Sequence, residues 1–208
     1  MSPLEVASYG TAVGYVAGFL ALTFALARSS DQPVWLFETG SRRQFLPALL
    51  FRLSFAGAVL WPLSATILAN AISADPLSGL FSGKAPDVIG FALVLAGACL
   101  ALFAQGYMGN SWRIGAAEHH VGRIVDGGPF AYSRNPVFVG QALLFGGLFI
   151  AKPSLVQAAL TASAFYAIAL QVRIEERVLL EALGEPYRAY CARVGRWIGY
   201  QSHQSGNT

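Results

Sequence analysis

Charge is what this sequence has least of. Asp, Glu, Lys and Arg make up 12% of its 208 residues, about half the share a typical soluble domain carries. With 55% of the chain hydrophobic, water is excluded as its only solvent. Cysteine is scarce too: Cys99 lies in an apolar run and Cys191 near the C-terminal end, with no C-x-x-C pair and no metal-type cluster around either. A disulfide framework and a zinc site are thereby excluded, and no metal is expected. The formal net charge is only +3. Its cations flank apolar runs and form no basic stripe with interleaved aromatics, so no nucleic acid is expected as partner. Lys and Arg are also missing from the first ten residues. The first apolar run therefore lacks the positive region of a cleavable signal peptide and reads as a retained membrane helix. No internal repeat is visible, and the polar tail at 200–208 is expected to be disordered.

What is present is a series of apolar runs near the roughly 18 to 20 residues that cross a bilayer as a helix. They fall at Tyr9–Ala27, Leu53–Ala71, Val88–Met108, Val137–Ile150 and Leu155–Val172. The expected fold class is all-α: an integral membrane bundle of five transmembrane helices, the last two forming a helical hairpin. One membrane domain is expected over 1–208, with three spans in 1–109 and a loop, the hairpin and a C-terminal helix in 110–199. Pro62 should kink the second span, and Phe45–Phe51 reads as an interfacial lead-in. The hairpin tip is "AKPS", Ala151–Ser154. Twelve arginines fall on one side of this scheme and only Lys84 and Lys152 on the other, which puts the C-terminus in the cytoplasm and the N-terminus outside.

That hairpin brings together two polar motifs, "SRNP" at its entry and "RIEER" at its exit. Arg134, Asn135, Arg173, Glu175 and Glu176 can then share one pocket at the cytoplasmic boundary. A ligand with both charge signs suits such a pocket, and S-adenosylmethionine is one. Its ammonium needs a carboxylate, Glu175 or Glu176; its carboxylate needs Arg134 with Asn135; its adenine needs walls such as Phe130 and Phe138. Adjacent Glu175 and Glu176 project about 100° apart on a helix, so at most one can contact the ligand closely. The same residues also read as ordinary boundary structure: Asn-Pro starts helices, and Arg173 with Glu176 has surface-pair spacing. His119 and His120 read as solvated, and Arg52 reads as snorkelling to headgroups in preference to facing the pocket as an anion ligand. Trp35, Trp61, Trp112 and Trp197 fit interfacial belts, and Gly90 and Gly97 fit close helix packing.

The stretches "GPFAYSRNPVFVG" and "EERVLLEALGEPYRAYCARV" resemble the C-terminal half of isoprenylcysteine carboxyl methyltransferases and the related phospholipid N-methyltransferases. The resemblance covers about Ser111 to Trp197. It implies a small bundle of membrane helices that encloses S-adenosylmethionine near the cytosolic surface and admits a lipophilic acceptor from the side. Carried onto this chain, it sets Arg123, Ile124, Val125 and Phe130 along the cofactor. It matches Arg134, Asn135, Pro136, Val137 and Phe138 to the family's Arg-His-Pro-x-Tyr segment and Glu175 to its cofactor-binding glutamate. Asn135 replaces the usual histidine, Phe138 the usual tyrosine, and Gln171 stands where the eukaryotic enzymes carry an arginine; Arg173 is the candidate replacement in acceptor binding. The function expected is methyl transfer from S-adenosylmethionine to a lipophilic acceptor among membrane lipids. Arg134 would supply charge and Glu176 would accept a proton where the acceptor must lose one. A carboxyl O-methyltransferase leads, with headgroup N-methylation and a non-enzymatic binding or transport protein as alternatives.

Overall fold

A computed structural model describes residues 1–29, 44–67, 75–81, 83–114 and 124–199. Arg123, His119, His120, Trp35 and the tail at 200–208 lie outside the described residues. The described residues form helices α1 (Pro3–Ser29), α2 (Phe45–Ile67), α3 (Lys84–Met108), α4 (Pro136–Ala151), α5 (Leu155–Leu183) and α6 (Glu185–Arg193), with 3-10 turns at Gly109–Ser111 and Gly128–Ala131. Three of these helices, α1, α3 and α5, are long and apolar enough to cross a membrane. The apolar part of α2, Phe45–Trp61, and α4 are shorter. At about 1.5 Å per residue α4 rises about 24 Å, less than the roughly 30 Å hydrocarbon core.

Helix ends differ from the sequence expectation for local reasons. Helix α1 starts at Pro3 because Ser2 and Glu5 form a reciprocal capping box: the Glu5 amide donates to Ser2 Oγ at 3.1 Å and the Ser2 amide to Glu5 Oε2 at 3.0 Å. The supposed lead-in at Phe45–Phe51 is the start of α2 itself. Pro47 sits in its first turn, where a missing N–H costs nothing. Helix α2 then runs on past Pro62 as one helix. Helix α5 continues eleven residues beyond Val172 and ends only at Gly184, whose φ of +58° reverses the chain into α6.

The packing centre is the α3–α4 seam. A Cβ on Gly97 would collide with the Gly140 carbonyl, and one on Gly140 would come within 2.5 Å of the Gly97 carbonyl. Seven residues along each helix the contact repeats, a Cβ on Gly147 reaching the Gly90 carbonyl at 2.7 Å. Backbones therefore touch, the close approach small residues permit between membrane helices. Helix α4 is joined to α5 through Lys152–Ser154 but packs most extensively on α3, while α5 packs most extensively on α2. Polar links cross the apolar interior: Gln105 Nε2 donates to Thr23 Oγ1 at 2.8 Å and to the Phe19 carbonyl at 3.1 Å.

Candidate active site

The "SRNP" turn is held from three directions. Before it, Gly128 (φ +56°) lies against the Tyr107 ring so closely that a side chain there would overlap it, and the buried Phe130 offers its carbonyl to the Tyr190 hydroxyl at 2.7 Å. Within it, Ser133 Oγ accepts from the Asn135 amide at 3.0 Å. Beyond α6, the segment 194–199 straps across it, with the Arg134 amide donating to the Gly195 carbonyl and the Gly199 amide to the Tyr132 carbonyl, both at 3.0 Å. Pro136 then opens α4 at its first position.

The side chains of this turn meet α5. Asn135 forms no side-chain cap; its Nδ2 donates instead to Glu176 Oε1 at 3.3 Å and to the Arg196 carbonyl at 3.1 Å. Arg134 pairs with Glu176 at 3.4 Å and also donates to the Cys191 sulfur. Arg196 closes the other carboxylate oxygen through Nε at 2.9 Å and Nη2 at 2.7 Å. That hydrogen bonding holds the Arg196 guanidinium above its ordinary pKa. Burial pushes the Tyr190 phenol above its ordinary range, keeping it a neutral donor to Phe130.

Beside this network lies a cavity of about 410 Å³ walled by α1, α2, α4, α5, α6 and the segments at 111–114 and 124–138. Ile124, Val125, Phe130, Arg134, Asn135, Pro136, Val137, Phe138 and Glu175 all line it. From α5 it takes Gln171, Glu175 and Leu179, one helical face at spacings of four. Gln171 Nε2 donates to Glu175 Oε1 at 2.8 Å, while Gln171 Oε1 and Arg134 Nε are buried without a partner. Unmade hydrogen bonds of this kind cost about 1–3 kcal/mol each. A cavity carrying them can receive a ligand with its own donors and acceptors.

Two expected members do not line the cavity. Arg173 is exposed and does not line the cavity: two residues from both Gln171 and Glu175, it projects about 200° away from each. Glu176, expected to accept a proton, lies off the cavity wall and is occupied by Arg134, Arg196 and Asn135. Conversely, Arg52 lines the cavity although snorkelling was the preferred reading, and so do Arg113, Gln171, Tyr15 and Gln141. Gln141 could have been found, because an amide inside an apolar span is costly and marks a site by default. Nothing in the sequence marked Arg196, whose role depends on a strap folding back from beyond α6.

A sequence profile described as phospholipid methyltransferase matches residues 86–186. A comparison with curated proteins found no match. The matched stretch runs from the first turn of α3 to the first turn of α6 and contains the glycine seam, the "SRNP" turn and Glu175. Over that stretch the chain is similar to the phospholipid methyltransferase family.

Proposed function

We propose that this protein is an S-adenosylmethionine-dependent methyltransferase acting on a lipophilic acceptor at the cytoplasmic membrane face, with its N-terminus outside. The observation that carries the reading is the cavity that joins Glu175 and the unpaired Gln171 oxygen to apolar walls from α1 and α2. The cofactor fits these residues. Glu175 and Gln171 Oε1 suit its ammonium, the unspent Arg134 Nε–H its carboxylate, and Ile124, Val125, Phe130 and Val137 its adenosine. When bound, it supplies a sulfonium methyl group for in-line displacement. The protein's task is positioning, which can lower such a barrier by about 7–11 kcal/mol. Val16, Phe19, Phe51, Phe55 and Phe138 give the acceptor side an apolar lining.

Besides Arg134, which is engaged by Glu176 and assigned to the donor's carboxylate, Arg52 and Arg113 line the cavity with Glu175. That balance favours an anionic acceptor, and a carboxylate of the isoprenylcysteine type needs no base. The family description favours a second reading, headgroup N-methylation. An ammonium acceptor must lose a proton, and with Glu176 closed off, Glu175 would have to serve both the donor's ammonium and the acceptor. Purified protein with labelled donor and a panel of prenylated carboxylates and phospholipids tests this: label should enter the carboxylates. Label in headgroup amines alone would select the second reading, and label in neither class would refute methyl transfer to both. Orientation is tested separately by single cysteines at positions 80 and 118 in a cysteine-free chain, which should report opposite sides of the membrane.

A further inference from the structure

The α1 side of the cavity holds a polar pair that the donor does not explain. Tyr15 of α1 and Gln141 of α4 are 2% and 6% exposed, and both line the cavity. Gln141 Nε2 donates to the Tyr15 hydroxyl at 2.8 Å. That bond leaves two capacities unspent: Gln141 Oε1 is buried without a partner, and the Tyr15 hydroxyl, used as an acceptor, keeps its own proton to donate. Around them the walls are aromatic, with Phe55 at 5.8 Å and Phe19 at 5.9 Å from the Tyr15 ring centre. A stacked Phe51–Phe138 pair lines the same cavity.

Among the glutamines of the described membrane helices, Gln171 shares the unpaired oxygen and the cavity with Gln141 but sits beside Glu175 on the donor side, which leaves Gln141 to be explained. Gln157 spends both ends within the protein, accepting from Tyr9 and donating to Thr161, each at 3.4 Å. Gln105 also leaves an oxygen unpaired, but it does not line the cavity. In apolar surroundings an unmatched amide oxygen is costly, and leucine would fill the same space without that cost. The terminal amide torsion of glutamine is soft, so the oxygen can turn toward a ligand with little strain.

We propose that Tyr15 and Gln141 form a hydrogen-bonding subsite for a neutral group that both donates and accepts, such as a hydroxyl, set within the apolar body of the acceptor. A carboxylate or phosphate is disfavoured there because the buried Tyr15 and Gln141 offer it no counter-charge. The subsite is an acceptor subsite on the methyltransferase reading, but its test needs no methyl donor. Trp112 lines the same cavity and is 7% exposed, so it can report binding once Trp35, Trp61 and Trp197 are replaced by Phe.

In nanodiscs, 12-bromododecan-1-ol and 1-bromododecane are titrated as quenchers of Trp112 fluorescence. The alcohol should half-quench the parent at a lower mole fraction than the alkane. Gln141→Leu and Tyr15→Phe should each raise that midpoint about fivefold for the alcohol, as expected for one lost hydrogen bond, and leave the alkane unchanged. Tyr15→Phe keeps the ring packing and stands as the test if Gln141→Leu does not fold. Equal midpoints for the alcohol in parent and variant, or equal shifts for both probes, would overturn the subsite. Failure of methyl transfer with an intact alcohol preference would refute the enzyme reading and leave the subsite standing.

Discussion

The two ends of α4 are built from the same materials. At the Lys152 end, Lys152 pairs with Glu5 at 3.4 Å, and Glu5 also closes the capping box of α1. Ser154 caps α5 by accepting from the Gln157 amide at 3.0 Å, and Asp75 accepts from the Leu155 amide at 3.0 Å. At the Arg134 end there are again ion pairs and a proline-started helix, but Arg134 Nε and Gln171 Oε1 are left without partners beside a cavity. Ion pairs and helix starts are therefore common to both ends and identify neither as a site. Unspent hydrogen-bonding capacity next to open volume distinguishes them.

The comparison breaks most completely if the seam that supports both ends is opened. Gly97→Leu forces a side chain into the Gly140 carbonyl, and overpacking against backbone costs at least the usual 1–3 kcal/mol or so. Thermal unfolding in detergent should show a lower midpoint, or no monodisperse protein at all. Arg134→Ala should act at one end only. Methyl transfer should fall at least tenfold, about 1.4 kcal/mol in the barrier, while the protein still inserts and folds, because Glu176 keeps Arg196. Arg196→Ala should give a smaller loss of transfer, since it loosens Glu176 but keeps the carbonyl that accepts from Asn135, and Arg196 does not line the cavity. Lys152→Met should have the smallest effect: within about 1 kcal/mol on stability, the range of a solvent-accessible ion pair, and none on transfer. A rate loss at Lys152 equal to that at Arg134 would erase the distinction between the ends.

Much of this arrangement was legible in the residues, and the reasons for the gaps are physical. Helical periodicity separated Glu175 from Glu176, and the cavity takes the first and not the second. The same 100° step separates Arg173 from the face shared by Gln171 and Glu175. Gly90 and Gly97 were readable as packing glycines, but their partners Gly140 and Gly147 needed the register of two helices. The Ser2–Glu5 box is local and legible in the sequence, whereas a hydropathy boundary alone starts the helix at Tyr9. Arg196 and Tyr15 were not readable as cavity or network members. Each depends on where a distant helix or strap lies, which side-chain type alone does not encode.

The central claim is that the Arg134-end cavity holds the methyl donor through Glu175. Calorimetric titration of S-adenosylmethionine into the parent, Glu175→Ala and Lys152→Met proteins tests it directly. The parent and Lys152→Met should bind alike. Glu175→Ala should lose about 2–5 kcal/mol of affinity, because a buried ammonium would be left without its charged partner. Unchanged affinity in folded Glu175→Ala protein would contradict the account.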